Sequence, residues 1–323
     1  MKVSIGTFNL NNLFSRYNFK GEIEAIKDEK TAVEAQYVYR FGSTDRFKIR
    51  KYRGKLVQRK DADDTRKVAD RIKEMDLNVL AVQEVEDIDT LREFNRDYLN
   101  GRYPFLSLIE GNDPRLIDIG ILSNLPIGAV TSWQHAVHAD DPTILIFGRD
   151  LLEVQILNAS RSKVLFTLFN NHLKSNFVDY RDDPVEGARK NNRRRQRQAE
   201  VMAEIVLKRT RPNSRFAILG DMNDAPDSSF LAPFTSSTGL DLANALTKPK
   251  ETRPTKESKY PPPGPAWTHR YKPKGGDMQY ELYDQIWLSP SLAKRQTGAW
   301  IHRRKNLTGD GSDHDPAWVE LSL

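Results

Sequence analysis

The apolar run Phe216-Ala217-Ile218-Leu219 stops abruptly at Gly220-Asp221-Met222-Asn223-Asp224, and this boundary constrains the chain more than any other stretch of it. A short run of this kind reads as a buried strand, with Gly220 letting the backbone turn where the strand ends. Asp221 and Asn223 then lie at a sheet edge, and alternation along an extended chain points residues two apart the same way. A carboxylate beside an amide suits a phosphate ester attacked by water. The amide donates to a phosphoryl oxygen, while the carboxylate accepts a proton or binds a cation. An Asx-type turn with solvated side chains accounts for the same residues.

The same arrangement, an apolar strand closed by polar side chains, recurs along the chain. Val3 to Leu10 alternates as a strand and runs into Asn9, Asn11 and Asn12. Asn9 and Asn11 would share a face, and Asn11 offers a carbonyl oxygen to a metal, although an asparagine-rich turn has the same signature. Val79-Leu80-Ala81-Val82 leads into Gln83-Glu84. An acid at the end of a buried strand must be solvated, paired or metal-bound, so Glu84 is either a ligand or a rim acid. Val154 to Leu157 and Val164 to Phe169 read as a strand pair around the turn at 158–162, and the second strand ends in Asn170-Asn171-His172-Leu173-Lys174. His172 can protonate a leaving group or bind phosphate with Lys174 supporting the anion, or it is a satisfied, partly buried histidine. Tyr283 to Ser289 is a further strand in which the register of Asp284 is open. Ser312-Asp313-His314-Asp315-Pro316 precedes a final strand with Val319, Leu321 and Leu323 on one face. Two flanking carboxylates would raise the pKa of the histidine and orient its ring; a structural ion-pair cluster is the alternative. Helical spacing of Val68, Ile72 and Met75, and of Ile88, Leu91 and Phe94, predicts two helices, and 118–123 reads as one more strand.

With 323 residues, 38% hydrophobic and 29% charged, the chain is a globular one of one or two domains. No apolar run approaches the roughly 18 residues that cross a bilayer, so no membrane span is expected. The first residues enter a strand pattern without a secretory signal, which predicts a cytoplasmic protein. The absence of cysteine excludes disulfides and thiolate metal sites and favours a hard cation held by oxygen or imidazole. The net charge of +6 is concentrated in two places. Between Tyr37 and Lys60 nine basic residues face one acid. Arg189-Lys190-Asn191-Asn192-Arg193-Arg194-Arg195-Gln196-Arg197 precedes the helical spacing of Ala199, Met202, Ala203 and Val206, so that helix begins with basic turns. Both clusters read as anion-binding or as solvated faces. The segment 17–64 reads as an excursion from the core with short helical pieces around Glu22 to Tyr39, and 247–276, rich in proline, as a long surface loop.

Taken together, Phe8-Asn9-Leu10-Asn11, Val82-Gln83-Glu84, Asn171-His172-Leu173-Lys174, Gly220-Asp221-Met222-Asn223, Tyr283-Asp284-Gln285-Ile286 and Ser312-Asp313-His314-Asp315-Pro316 resemble the endonuclease/exonuclease/phosphatase superfamily. Each motif is weak alone; six in family order, from residue 9 to residue 315, make a specific signal over nearly the whole chain. The resemblance implies an α/β (α+β) four-layer sandwich: two packed, mostly antiparallel sheets flanked by helices, with the site at one edge. The first and last motifs must meet, which predicts a single catalytic domain over 1–323 carrying the two insertions. It also implies roles. Glu84, with Asn11 and Asp313, would hold Mg²⁺ or Mn²⁺; Asp284 would orient His314 toward the attacking water. Asp221 and Asn223 would position water and phosphate with support from Asn9, and His172 would stabilise the phosphate or protonate the leaving group. His172 stands where abasic-site endonucleases carry a tyrosine-containing segment, which argues against abasic-site repair. Because both basic clusters suit a polyanionic backbone, with Lys174, Arg193 and Arg194 as substrate contacts, the expected function is a metal-dependent nuclease acting on DNA or RNA. Two alternatives stand beside it: a phosphatase or phosphodiesterase acting on an inositol phosphate or nucleotide, and a catalytically silent nucleic-acid-binding module. Sphingomyelinase activity fits less well, since no aromatic hairpin or amphipathic anchor is evident.

Overall fold

The computed structural model describes residues 1–15, 20–23, 37–40, 60–236, 239–252, 266–272, 275–305 and 310–323. Most of the basic excursion and of the proline-rich stretch, including Arg46 to Arg53 and Tyr260 to Pro265, lies outside the described residues.

Two sheets face each other. The first runs in the order β14 (Lys250–Glu251), β18 (Gln296–Ile301), β19 (Ala317–Ser322), β1 (Lys2–Leu13), β4 (Val79–Val85), β6 (Asp118–Ser123) and β5 (Phe105–Leu108). The second runs β13 (Ala243–Asn244), β17 (Asp284–Leu288), β12 (Phe216–Asp221), β11 (Val164–His172), β10 (Leu151–Leu157) and β7 (Ile127–Ser132). Most neighbours are antiparallel; β1 with β4, β11 with β12 and β14 with β18 are parallel. Two-stranded ribbons are formed by β2 (Lys20–Ile23) with β3 (Tyr37–Arg40), β8 (Val137–His138) with β9 (Asp141–Leu145), and β15 (His269–Tyr271) with β16 (Gln279–Glu281).

The inner faces of both sheets bury Ile5, Val79, Ile121, Val154, Leu168, Leu219 and Ile286 in one core. On the outer face of the first sheet, α1 (Ala62–Met75) and α2 (Ile88–Asp97) lay down Val68, Ile72, Leu91 and Phe94. Against the outer face of the second, α3 (Pro184–Arg209) packs Ala199, Met202 and Val206, joined by Phe234 of the short helix α4 (Ala232–Thr235). Helix α5 (Pro290–Ala293) is a single turn after β17. This is the expected helix-sheet-sheet-helix sandwich, and each apolar face meets another, as burial requires.

Several local expectations are corrected. At the two ends of the stretch expected to hold short helical pieces, Glu22 and Tyr37 to Tyr39 lie instead in the β2–β3 ribbon, and 24–36 between them lies outside the described residues. The stretch 247–276 contains β14 and β15 and buries Trp267 and Thr268, so part of it belongs to the sheets and the core. Strands β5, β7, β8 and β9 carry too little alternation to be legible in sequence. Helix α3 starts at Pro184 with Asp183 capping it, so the basic run begins more than a turn inside the helix.

Gly220 does not turn the chain. It sits within β12 at φ +139°, and a Cβ there would lie 2.0 Å from the Asn171 carbonyl oxygen. Only glycine allows β11 and β12 to approach in the register that sets His172 opposite Asp221.

Candidate active site

Parallel pairing places the C-terminal ends of β1 and β4 together in one sheet and those of β11 and β12 together in the other. Strand β17 runs antiparallel to β12 and so begins at that edge, with Asp284 opposite Asp221. The segment entering β19 arrives there too, and Ser312 Oγ donates to the Asn9 carbonyl at 2.7 Å. Beneath the edge the sheets are bridged by buried amides: Thr7 Oγ1 donates to Gln83 Oε1 at 3.2 Å, and Gln83 Nε2 to Asn170 Oδ1 at 2.8 Å. Asn170 Nδ2 in turn donates to the Val82 and Gly120 carbonyls. A fully satisfied buried network fixes the relative position of two sheets more sharply than apolar contact does.

Asp221 is the focus of the edge. Its Oδ2 accepts from Asn9 Nδ2 at 3.0 Å, lies 3.4 Å from His172 Nε2 and 3.9 Å from His314 Nε2. Its Oδ1 accepts the Asn223 backbone N–H at 2.9 Å, and Asn223 Nδ2 donates to the Leu173 carbonyl at 3.2 Å. The Asx turn weighed above is therefore present, and it carries the site. Asn223 is brought beside Asp221 by that turn, at φ +51°, and not by strand alternation.

His314 is buried, and its Nδ1 is paired with Asp284 Oδ2 at 2.7 Å. Asp284 is fully buried, and its Oδ1 has no hydrogen-bond partner among the described residues, so His314 is the principal neighbour of this carboxylate. Burial opposes the imidazolium, but the Asp284, Asp221 and Asp313 carboxylates outweigh it and push the His314 pKa up to about 10. His172 goes the opposite way. Burial first, then the charges of Arg149, His314, Arg115 and Lys174, hold it well below the ordinary histidine range. One imidazole is charged at neutral pH and its neighbour is not, which sets them to different tasks.

The expected flanking of His314 by two acids is half realised. Asp313 contributes charge, but Asp315 turns inward, where Arg71 Nη2 and Arg304 Nε donate to its Oδ1 at 2.8 and 3.1 Å and Arg303 lies 3.4 Å from Oδ2. Arg71 Nη1 also donates to the His314 carbonyl at 3.2 Å. The ring is oriented by Asp284, and its backbone is held by this structural ion cluster.

Glu84 sits at a β-bulge, where the register of β4 slips against both β1 and β6. It has φ +60°, and across from it Asn11 and Asn12 have φ +48° and +59°. Bulges re-aim side chains, and non-glycine residues held at positive φ concentrate where function requires it. Asn12 N–H donates to Glu84 Oε2 at 3.0 Å, and Asn9 Oδ1 accepts from Asn11 N–H at 2.9 Å. Burial raises the Glu84 pKa, with His314 opposing and Asp313 adding to the rise. Glu84, Asp313 and Asn11 offer carboxylate and amide oxygens, hard donors of the kind Mg²⁺ and Mn²⁺ take, and Asp313 acts electrostatically on Glu84. Asp313 has a second neighbourhood: the ligand atoms of His269, Asp313 and His314 lie within 4.8 Å of one another.

Of the expected substrate contacts, Lys174 stands beside the edge. Burial, then repulsion from Arg149, Arg115, Arg194 and Arg195, lowers its pKa to about 8. Arg194 reaches toward the Leu145 and Ile146 carbonyls at 3.4 and 3.5 Å, whereas Arg193 is exposed on the outer side of α3 and is not gathered into the edge. Three residues of the edge were not assigned to it from the sequence. Arg149 is buried beside Asp113 (3.1 Å), donates to the Leu173 carbonyl at 3.1 Å and acts electrostatically on Glu84 and Asp221. His269 stacks on Tyr283 at 5.1 Å and lies 4.8 Å from the His314 ring. Lys60 Nζ donates to the Asn11 carbonyl at 2.7 Å.

Comparison with known proteins agrees with this architecture. The Endonuclease/Exonuclease/phosphatase family model matches residues 6–314. No curated protein matches the chain in sequence. Among solved structures, D. rerio TDP2 complexed with a single-strand DNA product is similar at TM-score 0.56 and 12% identity, over 100% of this chain and 99% of that one. The human Nocturnin catalytic domain with bound sulfate is similar at 0.57 and 12%, over 99% and 94%. A mannosyl-6-phosphatase of Bacteroides thetaiotaomicron is similar at 0.55 and 14%, over 99% and 100%. At these identities the likeness is one of fold.

Proposed function

We propose, from the premise that this chain belongs to the endonuclease/exonuclease/phosphatase family of phosphoester hydrolases, that it is a divalent-metal-dependent phosphodiesterase whose substrate is nucleic acid. The observation that carries the hydrolytic reading is the Asp284–His314 pair at 2.7 Å, turned toward Asp221, with a neutral His172 on the other side of that carboxylate. The nucleic-acid part is supported by the cationic residues that surround Lys174 and by the basic run of α3. TDP2 with its single-strand DNA product has the same fold, and so does a phosphatase, which is why substrate has to be argued from side chains.

Each residue has a task in this reading. Asp221 is the acceptor for the proton of the attacking water, because it is the one carboxylate that Asn9, His172 and His314 all face. His314, charged at neutral pH, places positive charge where the phosphorane develops negative charge, and Asp284 keeps it charged and aimed. Neutral His172, with Asn223 and Asn9, orients the phosphate by hydrogen bonding, and Arg149 and Lys174 neutralise its charge. Glu84, Asn11 and Asp313 would hold Mg²⁺ or Mn²⁺, which when bound polarises the phosphoryl oxygen and the leaving group. The test is a screen of single- and double-stranded DNA, RNA and a panel of small phosphate esters with Mg²⁺ and with Mn²⁺, using Glu84→Ala as control. Cleavage of nucleic acid that Glu84→Ala lacks is the expected outcome. Turnover confined to small monoesters would replace the nuclease reading with a phosphatase one, and no turnover under any condition would leave a binding module.

A further inference from the structure

The three most exposed large apolar side chains among the described residues are Tyr180 at 92%, Val185 at 75% and Phe177 at 72%, and all fall between His172 and the first turn of α3. Their backbone is not loose. Lys174 N–H donates to Gln198 Oε1 at 2.8 Å, Arg195 holds the Lys174 carbonyl and Asn176 Oδ1 at 2.8 Å each, and Asn191 Nδ2 donates to the Phe177 carbonyl at 2.8 Å. Val178 fills the space over Gly187, where a Cβ would come within 2.3 Å of it. Asn176 Nδ2 donates to the Asn223 carbonyl and to the Tyr283 hydroxyl, both at 3.1 Å, so the loop is tied directly to the catalytic edge. A segment bonded this thoroughly, yet holding two aromatic rings out in water, spends its order on presenting those rings.

The acids around the rings are largely engaged: Asp179 by Arg181 at 2.9 Å, Asp183 by the N–H groups at the start of α3, and Glu186 by Arg189 at 2.7 Å. Lys190 and Arg193, on the adjoining face of α3, have no carboxylate partner among the described residues. A groove of about 640 Å³ runs beside Arg193, lined also by Val185, Ala188, Gln196 and Phe230, and Lys190 shares an adjoining cleft with Arg193, Asp182 and Glu186. Two exposed rings, one with the Arg181 guanidinium 5.6 Å over it, on a loop bonded to the basic turns of α3 and to the catalytic edge, match the chemistry of an unpaired strand: bases stack on the rings while its phosphates follow the cations of α3. A duplex keeps its base faces covered and offers these rings nothing to stack on.

Resting on the nucleic-acid reading above, we propose that Phe177 and Tyr180 form a base-stacking platform for single-stranded nucleic acid, with Lys190 and Arg193 following its backbone away from the catalytic edge. Fluorescence anisotropy with chelator present, using a twelve-residue oligothymidylate and an abasic oligonucleotide of the same length and charge, tests this. Replacing both Phe177 and Tyr180 by Ala is expected to weaken oligothymidylate binding by about tenfold for each stack lost and to leave abasic binding within about twofold; Phe177→Trp with Tyr180→Trp should restore it. Equal loss for both probes, or no loss for either, would overturn the platform while leaving the nuclease reading in place. Binding to phosphatidylglycerol vesicles that the double variant loses, with oligothymidylate binding intact, would overturn it in favour of a lipid surface. A wild-type protein that neither binds nor cleaves any oligonucleotide would sink the nucleic-acid reading itself.

Discussion

Replacing Asp284 by Asn removes the charge that His314 leans on and little else. Asp284 is fully buried, its Oδ2 is 2.7 Å from His314 Nδ1 and its backbone N–H is already bonded to Thr268 Oγ1 at 2.9 Å, so the isosteric amide fits the same space. The His314 pKa stands at about 10 against an ordinary 6.5, a separation on the order of 5 kcal/mol between the two protonation states. Asp221 and Asp313 share in that rise, so Asp284 supplies only part of it. Without it, burial is opposed only by Asp221 and Asp313, so the imidazole gives up its proton at a lower pH than in the wild type. A loss of about 10²- to 10⁴-fold in kcat follows, with KM little changed, because the charge matters most once the phosphorane forms. His314→Ala should fall by a similar factor, and the double variant by little more than the worse single one, since residues acting as a unit are not additive. Steady-state kinetics at saturating metal and substrate give the three ratios, and a titration of the His314 ring by NMR reports the charge directly. Losses that multiply in the double variant, or a wild-type ring that titrates near 6.5, would refute the reasoning.

Glu84→Gln keeps the bulge and removes a ligand charge, so Mn²⁺ affinity measured by calorimetry should drop by about tenfold or more; unchanged affinity would remove Glu84 from the metal site. Asp118 is buried with Oδ2 unpartnered among the described residues, and burial, opposed by the Gly111 N–H, pushes its carboxyl up to about 7. The folded chain then holds a proton that the unfolded chain releases near pH 4, so this group lowers stability as pH rises from there through 7; Asp118→Asn should exceed wild type by about 2 to 4 kcal/mol at pH 8, in urea unfolding, and match it near pH 4. Asp315→Ala strands Arg71, Arg303 and Arg304 in a buried cluster and should cost about 3 to 5 kcal/mol by the same measurement, while Asp70→Ala on the exposed face of α1 should cost under 1 kcal/mol.

Much of the site was legible because its residues close apolar runs. Glu84, His172, Asp221 and Asp284 each sit at or next to a strand end, and Asn9 lies where β1 leaves its register with β4; a polar side chain in such a position is visible in a one-dimensional pattern. What that pattern does not carry is direction. Asp313 and Asp315 flank His314 symmetrically in sequence, yet one faces the site and the other is buried among three arginines, because pairing of β19 with β1 and contact with α1 decide which way each points. Gly220 was read as a turn since glycine marks turns more often than close strand approaches; the Asn171 carbonyl oxygen, 2.0 Å from where a Cβ would stand, is a tertiary fact.

The missed residues have a common cause. Arg149 enters from the segment between β9 and β10, His269 from the first residue of the three-residue strand β15, and Lys60 from the residue before the cap of α1, where no periodicity assigns a face. Arg71 left a trace, because it falls three residues after Val68 and four before Met75 and therefore lies on the apolar stripe of α1. A cation on such a stripe is either misplaced or paired, and burying it unpaired would be prohibitive, so the sequence contained a demand for an acid on the facing element. Asp315 meets that demand, and in meeting it fixes the carbonyl of the residue before it, which is His314. The His314 imidazole is thereby positioned from two sides by two different carboxylates: Asp284, at the start of β17, sets its charge and ring, and Asp315, just before β19, sets its backbone through Arg71.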